Sequence, residues 1–366
     1  MKETPITSIN VELSGRSYNI LIAAGLLKKC ASEIPKVLSL YCRKIVVVSN
    51  KKVFALYGDI LSQSLKNLGY QPLHFLIGDG EKYKTLATAE KLFTFLIEQR
   101  LERRDALIAL GGGVVGDLTG FVAATYLRGI NYIQIPTSLL AQIDAAIGGK
   151  TAVNHKKGKN LIGAFHQPKL VIIDPCVLIT LPKRELVAAM YEAIKYGVIA
   201  DEKLFYLLEK EKNNILARNI DLLTEIIISC CKIKAGVVSR DEHESGERQI
   251  LNFGHTVGHA LETITNYKLF KHGEAVGYGM IAATLIANNL SLISNQQTEK
   301  IIKLINSYGK LPSTKKVVVE ILLEVMQQDK KSLAGQLIFV LPEQIGRVII
   351  GQTVSINVIH QVLQTL

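Results

Sequence analysis

No stretch of this sequence reaches the roughly 18–20 consecutive apolar residues that a helix needs to cross a bilayer, which argues against a membrane-spanning role. The charged-then-apolar order of a signal peptide is also missing, because Glu3, Asn10 and Glu12 interrupt it. The five cysteines (Cys30, Cys42, Cys176, Cys230, Cys231) are odd in number, scattered and without a Cys-x-x-Cys pair. That pattern excludes a disulfide framework and points to reduced thiols in a cytoplasm. Internal repeats and low-complexity segments are absent. So are zinc-finger, helix-turn-helix and aromatic-interleaved basic signatures, although the net charge is +11. The basic clusters are short, as in His155-Lys156-Lys157-Gly158-Lys159. The charge is therefore read as a field for a small anionic substrate, with no nucleic acid and no membrane among the partners.

What is present describes an enzyme. A chain of 366 residues, 48% apolar and 20% charged, is about two domains with a large core. Its first half alternates apolar runs with amphipathic stretches. Lys44 to Ser49, Leu73 to Ile77, Ala106 to Leu110, Tyr132 to Ile135 and Leu170 to Ile173 read as buried parallel strands. A helical pattern such as Ala87 to Arg100 lies between them, so the expected fold is an α/β domain with a doubly wound, mostly parallel sheet. Ile6 to Leu13 and Tyr18 to Ile22 flank Ser14-Gly15-Arg16 as a hairpin. After Asp174-Pro175 helix-period stretches dominate: Arg184 to Ile199, Leu222 to Val238, Thr256 to Thr265, Ala275 to Ile293 and Glu299 to Tyr308. The boundary is placed there, giving residues 1–175 as an α/β domain and 176–366 as a mainly helical one. A last β pair, Leu337 to Val340 and Arg347 to Ile350, closes the chain.

Three motifs carry chemistry. Gly111-Gly112-Gly113-Val114-Val115-Gly116-Asp117 leaves a strand and opens a helix in a G-x-G-x-x-G pattern. Its glycines permit a tight turn against a pyrophosphate, and helix amides supply an anion site. It follows the third strand, and Pro136-Thr137-Ser138 stands where a ribose-binding acid is usual, so dinucleotide binding is expected in a variant mode. Gly148-Gly149-Lys150-Thr151 fails the P-loop spacing because Asp144 occupies the first glycine position, leaving Lys150 and Lys159-Asn160 as loop residues that meet an oxyanion. His255 and His259 stand four apart on one predicted helix face, with His272 close behind. Glu192 and Lys195 share a mostly apolar helix, where burial would pair the carboxylate with a cation. Two imidazoles and a carboxylate make a Lewis-acid metal site. No Glu follows His255, which removes the metalloprotease signature. The residues alone support a metal-dependent dehydrogenase of a phosphorylated sugar or polyol.

The same blocks resemble the 3-dehydroquinate synthases. The glycine loop does, as do Pro136-Thr137-Ser138-Leu139-Leu140-Ala141-Gln142-Ile143-Asp144, Gly148-Gly149-Lys150-Thr151-Ala152-Val153-Asn154 and Gly158-Lys159-Asn160-Leu161-Ile162-Gly163. Glu192-Ala193-Ile194-Lys195-Tyr196-Gly197, Asn252-Phe253-Gly254-His255-Thr256-Val257-Gly258-His259 and His272-Gly273-Glu274-Ala275-Val276 complete the set in order. The resemblance covers nearly the whole chain. It implies NAD and a divalent metal (zinc or cobalt) as cofactors, a homodimer, and a helical C-terminal metal-binding domain. It also implies conversion of 3-deoxy-D-arabino-heptulosonate 7-phosphate to 3-dehydroquinate and phosphate, the second step of the shikimate route. The implied course is transient oxidation, phosphate elimination, re-reduction and intramolecular aldol closure.

Carried over by motif, Glu192, His255 and His272 would ligate the metal, and His259 would serve substrate and proton transfer instead. Asp144, Lys150, Lys159, Asn160, Lys195, Lys234, Arg248, Asn252 and Lys330 would line the substrate site, with Arg128 reaching the phosphate from a dimer partner. Asn50, Glu81, Lys84, Gly112, Gly113, Val114, Asp117, Thr137, Ser138, Thr180, Leu181 and Glu185 would hold NAD. Thr137-Ser138 stands where Thr-Thr is expected, Ala145-Ala146 where Ser-Ser is frequent, Tyr191 and Phe253 where Leu is frequent. None of these departures removes a charged or ligating group. Three rivals are a glycerol-type dehydrogenase, another sugar phosphate cyclase, and a non-catalytic NAD-binding regulator. The cations Lys234, Arg248 and Lys330, with Asn252, His259 and every metal ligand retained, speak against them.

Overall fold

A computed structural model describes residues 5–315, 317–328, 332–333 and 336–366. Lys330, with Asp329 and Lys331, lies outside the described residues. The chain divides into two compact units, residues 1–181 with 220–242 and residues 182–219 with 243–366. The expected single cut at residue 175 thus differs from this division, in which one helical segment rejoins the first unit.

The first unit is built on a seven-stranded sheet. Its strands are β1 (Thr7–Val11), β2 (Tyr18–Ile22), β3 (Lys44–Asn50), β4 (Gln71–Ile77), β5 (Ala106–Gly111), β6 (Asn131–Pro136) and, after a separate hairpin of β7 (Lys150–His155) and β8 (Gly158–Phe165), β9 (Leu170–Ile173). Their spatial order is β1-β2-β9-β6-β5-β3-β4, antiparallel only between β1 and β2. Central strands are buried at nearly every position because both faces are covered. Ile45, Val47, Ile108 and Ile133 join one buried cluster with Leu61 and Leu65 of helix α1 (Lys51–Asn67). The alternate residues Val46, Val48, Leu107 and Tyr132 join the other, with Leu92 of α2 (Leu86–Glu98) and Leu118 of α3 (Gly113–Thr125). The sheet is therefore doubly wound, as expected. From β3 the chain runs outward to β4, then returns to β5 and continues the other way. The switch point, where such sheets bind ligands, lies at the C-terminal ends of β3 and β5. Asn50 and Gly111 stand there.

The second unit begins with α4 (Lys183–Ala200), α5 (Glu202–Lys210) and α6 (Lys212–Leu216). The next helix, α7 (Ile220–Arg240), belongs to the first unit. Its apolar stripe, Leu223, Ile226, Ile227, Cys230, Cys231 and Val238, is buried, and the helix packs on β1 and on the turn Ala141–Ala145. The second unit resumes with α8 (His255–Ile264), α9 (His272–Asn289), α10 (Asn295–Tyr308) and α11 (Val319–Gln328). It ends with β10 (Ser332–Leu333), β11 (Gln336–Gln344), β12 (Arg347–Val354) and α12 (Ile356–Leu363). Helix α9 is apolar on nearly every side, and accordingly it is central, packed by α4, α8, α10, α12 and β11. Among the described residues no helix is long and apolar enough to cross a membrane. All five thiols are free, and burial pushes those of Cys30 and Cys42 up to about 12.

Candidate functional site

In the first unit, β5 delivers the glycine loop to the switch point. Gly112 caps α3 and Thr137 N–H donates to the Gly111 carbonyl at 2.9 Å, so the Thr137-Ser138 turn lies beside the loop. A side chain on Gly112 would meet Ser138 Oγ at 3.2 Å, and one on Gly113 would meet Ala145 Cβ at 3.3 Å. Gly112 offers the first amides of α3 no side-chain cap, and no acidic residue stands in the first turn, an arrangement suited to phosphate oxygens. Asn50 accepts from Val53 N–H at 2.9 Å as the cap of α1, so its Oδ1 serves the fold as well as any ligand. Thr180 bonds the Tyr57 hydroxyl at 2.6 Å, and Leu181 ends the same short turn.

Polar contacts tie the hairpin β7–β8 to Glu81, Lys84 and Asp117. Lys84 is buried and its ammonium touches Asp117 and, at 2.6 Å, Asn160 Oδ1. Burial pushes the Asp117 carboxyl above its ordinary range, and the Lys84 ammonium pulls it back. Glu81 accepts from Asn154 Nδ2 at 2.7 Å, and Asn154 N–H donates to the Lys84 carbonyl at 2.8 Å. Lys150 and Lys159, read from sequence as loop residues, stand instead on β7 and β8, and Asn160 adopts a left-handed backbone on β8. Thr151 and Val153 are buried while Ala152 and Asn154 are half-buried, the period-2 pattern of a strand that charged neighbours obscure in the sequence. Lys234, brought to this unit by α7, is held by Asp144 twice, 2.5 Å from Oδ1 and 2.7 Å from the carbonyl. Arg128 is exposed on the turn after α3, also with a left-handed backbone.

The second unit gathers the histidines. Glu192 on α4 is fully buried, and its Oε2 is in contact with the equally buried Lys195 ammonium. Its Oε1 lies 3.7 Å from His255 Nε2 and 3.5 Å from His272 Nε2, and has no hydrogen-bond partner among the described residues. His255 Nδ1 is 3.1 Å from the Phe253 carbonyl, and His272 Nδ1 is 3.0 Å from Glu262 Oε2. Both partners only accept, so each Nδ1 carries a proton and, in the neutral ring, each Nε2 presents its lone pair. Three electron-rich atoms then converge on one point with no proton among them. Ligand atoms at about 2.1 Å from a tetrahedral ion lie about 3.4 Å apart, close to the spacing observed. Glu192, His255 and His272 fit a divalent cation.

Glycines let the supporting helices approach. Gly254 has φ +80°, which turns the chain into α8 with His255 as its first residue. A side chain on Gly273 would lie 1.8 Å from the Ala188 carbonyl oxygen, so only glycine lets α9 rest on α4 beside His272. His259 is half-buried, edge-on to His255 at 5.2 Å between ring centroids. It belongs to a second group, His259, Glu262 and His272, that also brings ligand atoms within 4.8 Å of one another. The histidine pair is thus divided between two groups that share His272.

Arg248 is buried, and Asn252 Nδ2 donates to Glu244 Oε1 at 2.5 Å. Glu185 pairs with Lys271 at 2.6 Å. Sequence reasoning missed Glu262, Glu244 and the Phe253 carbonyl. Glu262 had a signal, a carboxylate seven residues after His255 on the same helical face; the carbonyl had none, since any residue supplies one.

Two family models match the chain, "3-dehydroquinate synthase N-terminal" over residues 74–188 and "3-dehydroquinate synthase C-terminal" over residues 189–332. The 3-dehydroquinate synthase of Rippkaea orientalis (strain PCC 8801 / RF-1) is 49% identical over 359 residues, 97% of either chain. A solved 2-deoxy-scyllo-inosose synthase complexed with carbaglucose-6-phosphate, NAD+ and Co2+ is 27% identical, with a TM-score of 0.86 over 98% of this chain and 99% of that one. A 2-epi-5-epi-valiolone synthase from Streptomyces hygroscopicus subsp. jinggangensis 5008, with NAD+ and Zn2+ bound, is 25% identical, with a TM-score of 0.85 over 95% of this chain and 96% of that one.

Proposed function

The chain belongs to the 3-dehydroquinate synthase family, and we propose that it converts 3-deoxy-D-arabino-heptulosonate 7-phosphate to 3-dehydroquinate and phosphate. The observation that carries this reading is a set of buried cations, Lys195, Lys234 and Arg248, on a chain that also holds the Glu192–His255–His272 cluster. Glu192 and Asp144 hold the Lys195 and Lys234 ammonium groups in place, and a substrate with a carboxylate and a phosphate uses such oriented cations where a neutral polyol does not.

Bound NAD supplies a hydride acceptor that is regenerated within one turnover, and a bound divalent cation supplies a Lewis acid for a substrate hydroxyl. Glu192, His255 and His272 are assigned to hold the cation, and the α3 amides with Asp117 and Lys84 to hold the dinucleotide. Asn50, Glu81, Gly112, Gly113, Val114, Thr137, Ser138, Thr180, Leu181 and Glu185 share the second task. Asp144 fixes the Lys234 ammonium at one point, so the cation is oriented before substrate arrives. Asn252 turns its amide nitrogen to Glu244, leaving Oδ1 to accept from a substrate hydroxyl. Lys150, Lys159, Asn160, Lys195 and Arg248 are assigned to the anionic groups, and His259 to proton transfer at its ring nitrogens. A cytoplasmic homodimer, with Arg128 serving the partner's substrate, completes the proposal.

The test uses purified protein, the heptulosonate phosphate, NAD and cobalt or zinc, with phosphate and NADH followed together. Phosphate release without net NADH is expected. Stoichiometric NADH accumulation would replace the proposal with a simple dehydrogenase, and turnover of a hexose phosphate alone would replace it with another cyclase.

A further inference from the structure

We propose that Glu262 is a positioning residue that sets the tautomer and ring orientation of His272; the inference rests on the reading of Glu192, His255 and His272 as metal ligands. Glu262 lies on α8 and is 4% exposed. A carboxylate so buried needs a hydrogen-bond donor, and His272 Nδ1 stands 3.0 Å from its Oε2. That contact keeps the His272 proton on Nδ1 and aims Nε2 at Glu192 Oε1, 3.5 Å away. His255 receives the same treatment from a different source, the Phe253 carbonyl at 3.1 Å. One ring is therefore held by backbone, which no side-chain substitution removes, and the other by the Glu262 side chain.

The second group, His259 with Glu262 and His272, offers a competing place for an ion. A neutral imidazole has one lone-pair nitrogen, so His272 cannot serve a cation on both sides. The fully buried Glu192 oxygen without a hydrogen-bond partner decides for the first group. Glu262 then acts through His272, the carboxylate–histidine–metal arrangement that raises ligand basicity and fixes the ring.

Cobalt affinity of the full-length chain, measured by chelator competition, tests this with Glu262→Gln, Glu262→Asp, Glu192→Gln and His259→Ala. Glu262→Gln is expected to weaken cobalt roughly ten- to hundred-fold. Its chelator-treated form should melt close to the parent, and Glu262→Asp should recover part of the affinity. Cobalt binding by Glu262→Gln at parental strength, with Glu192→Gln defective, overturns the positioning role alone. A fall in melting temperature matching the fall in affinity also overturns it, in favour of a structural role. Parental affinity in Glu192→Gln overturns the metal assignment itself. Loss in His259→Ala and Glu262→Gln, without loss in Glu192→Gln, moves the ion to the second group and overturns both.

Discussion

The Glu192–Lys195 pair should separate stability from chemistry. The Glu192 side chain is 0% exposed, the Lys195 side chain 2%, and the two charges are in contact. Glu192→Gln conserves volume, so no cavity contributes. What remains is an ammonium buried without its carboxylate, which costs about 3–5 kcal/mol when one partner of a buried pair is removed. Lys195→Met strands the carboxylate at a similar cost. The double variant removes both charges and should recover most of the loss, because an apolar replacement of a buried pair is often neutral. The coupling is expected to be several kcal/mol, well above the ~0.5 kcal/mol error of additivity. Urea unfolding of the chelator-treated proteins, followed by two probes to verify a single transition, measures it. The double variant should be stable yet bind no cobalt and release no phosphate. Additive single variants, or a Glu192→Gln protein as stable as the parent, would refute the argument that this pair is buried and mutually compensating.

Gly273→Ala places a methyl 1.8 Å from the Ala188 carbonyl oxygen, so α9 must shift and carry His272 with it. A loss of about 2–3 kcal/mol in urea unfolding and weaker cobalt binding are expected, and parental values of both would show that the helices can part freely. His74 and His166 sit below the ordinary imidazole range, in each case chiefly because burial disfavours the charged ring. For such depressed bases the stabilising contribution is present above the unfolded value of about 6.5 and is lost as pH falls through the folded value. His166→Gln should therefore flatten the decline in stability as pH falls below about 6.5, and an unchanged decline would contradict the assignment.

The sheet was legible because its strands are buried on both faces and read as unbroken runs such as Ile45-Val46-Val47-Val48. The glycine loop was legible because it falls between such a run and a helix. Hairpin β7–β8 was not, because Lys150, Lys156, Lys157 and Lys159 mask its alternation. The return of α7 to the first unit was hidden for another reason. An apolar stripe says that a helix is covered, never by which domain. Within the site, Glu192 could be suspected of burial from its apolar neighbours, and the structure buries it completely. The role of Glu262 depends on α9 bringing His272 across to α8, a long-range fact that helical spacing alone does not contain.

Helical spacing makes His255 and His259 look interchangeable, and the backbone explains why they are not. His255 is the first residue of α8, and the left-handed Gly254 before it leaves the Phe253 carbonyl outside the helix, where it meets His255 Nδ1. One turn later the equivalent carbonyl, that of Val257, lies inside the helix ladder, and His259 stands instead in the second group, with Glu262 and His272. The start of the helix thus gives His255 a backbone acceptor beside Glu192 and His272, and the next turn carries His259 to a different set of side chains. His255→Ala should therefore lose cobalt even with His259 in place, and His259→Ala should keep cobalt while losing turnover. Cobalt titration of the two variants decides the matter: equal losses would mean that the pair acts as the two equivalent ligands its spacing suggests.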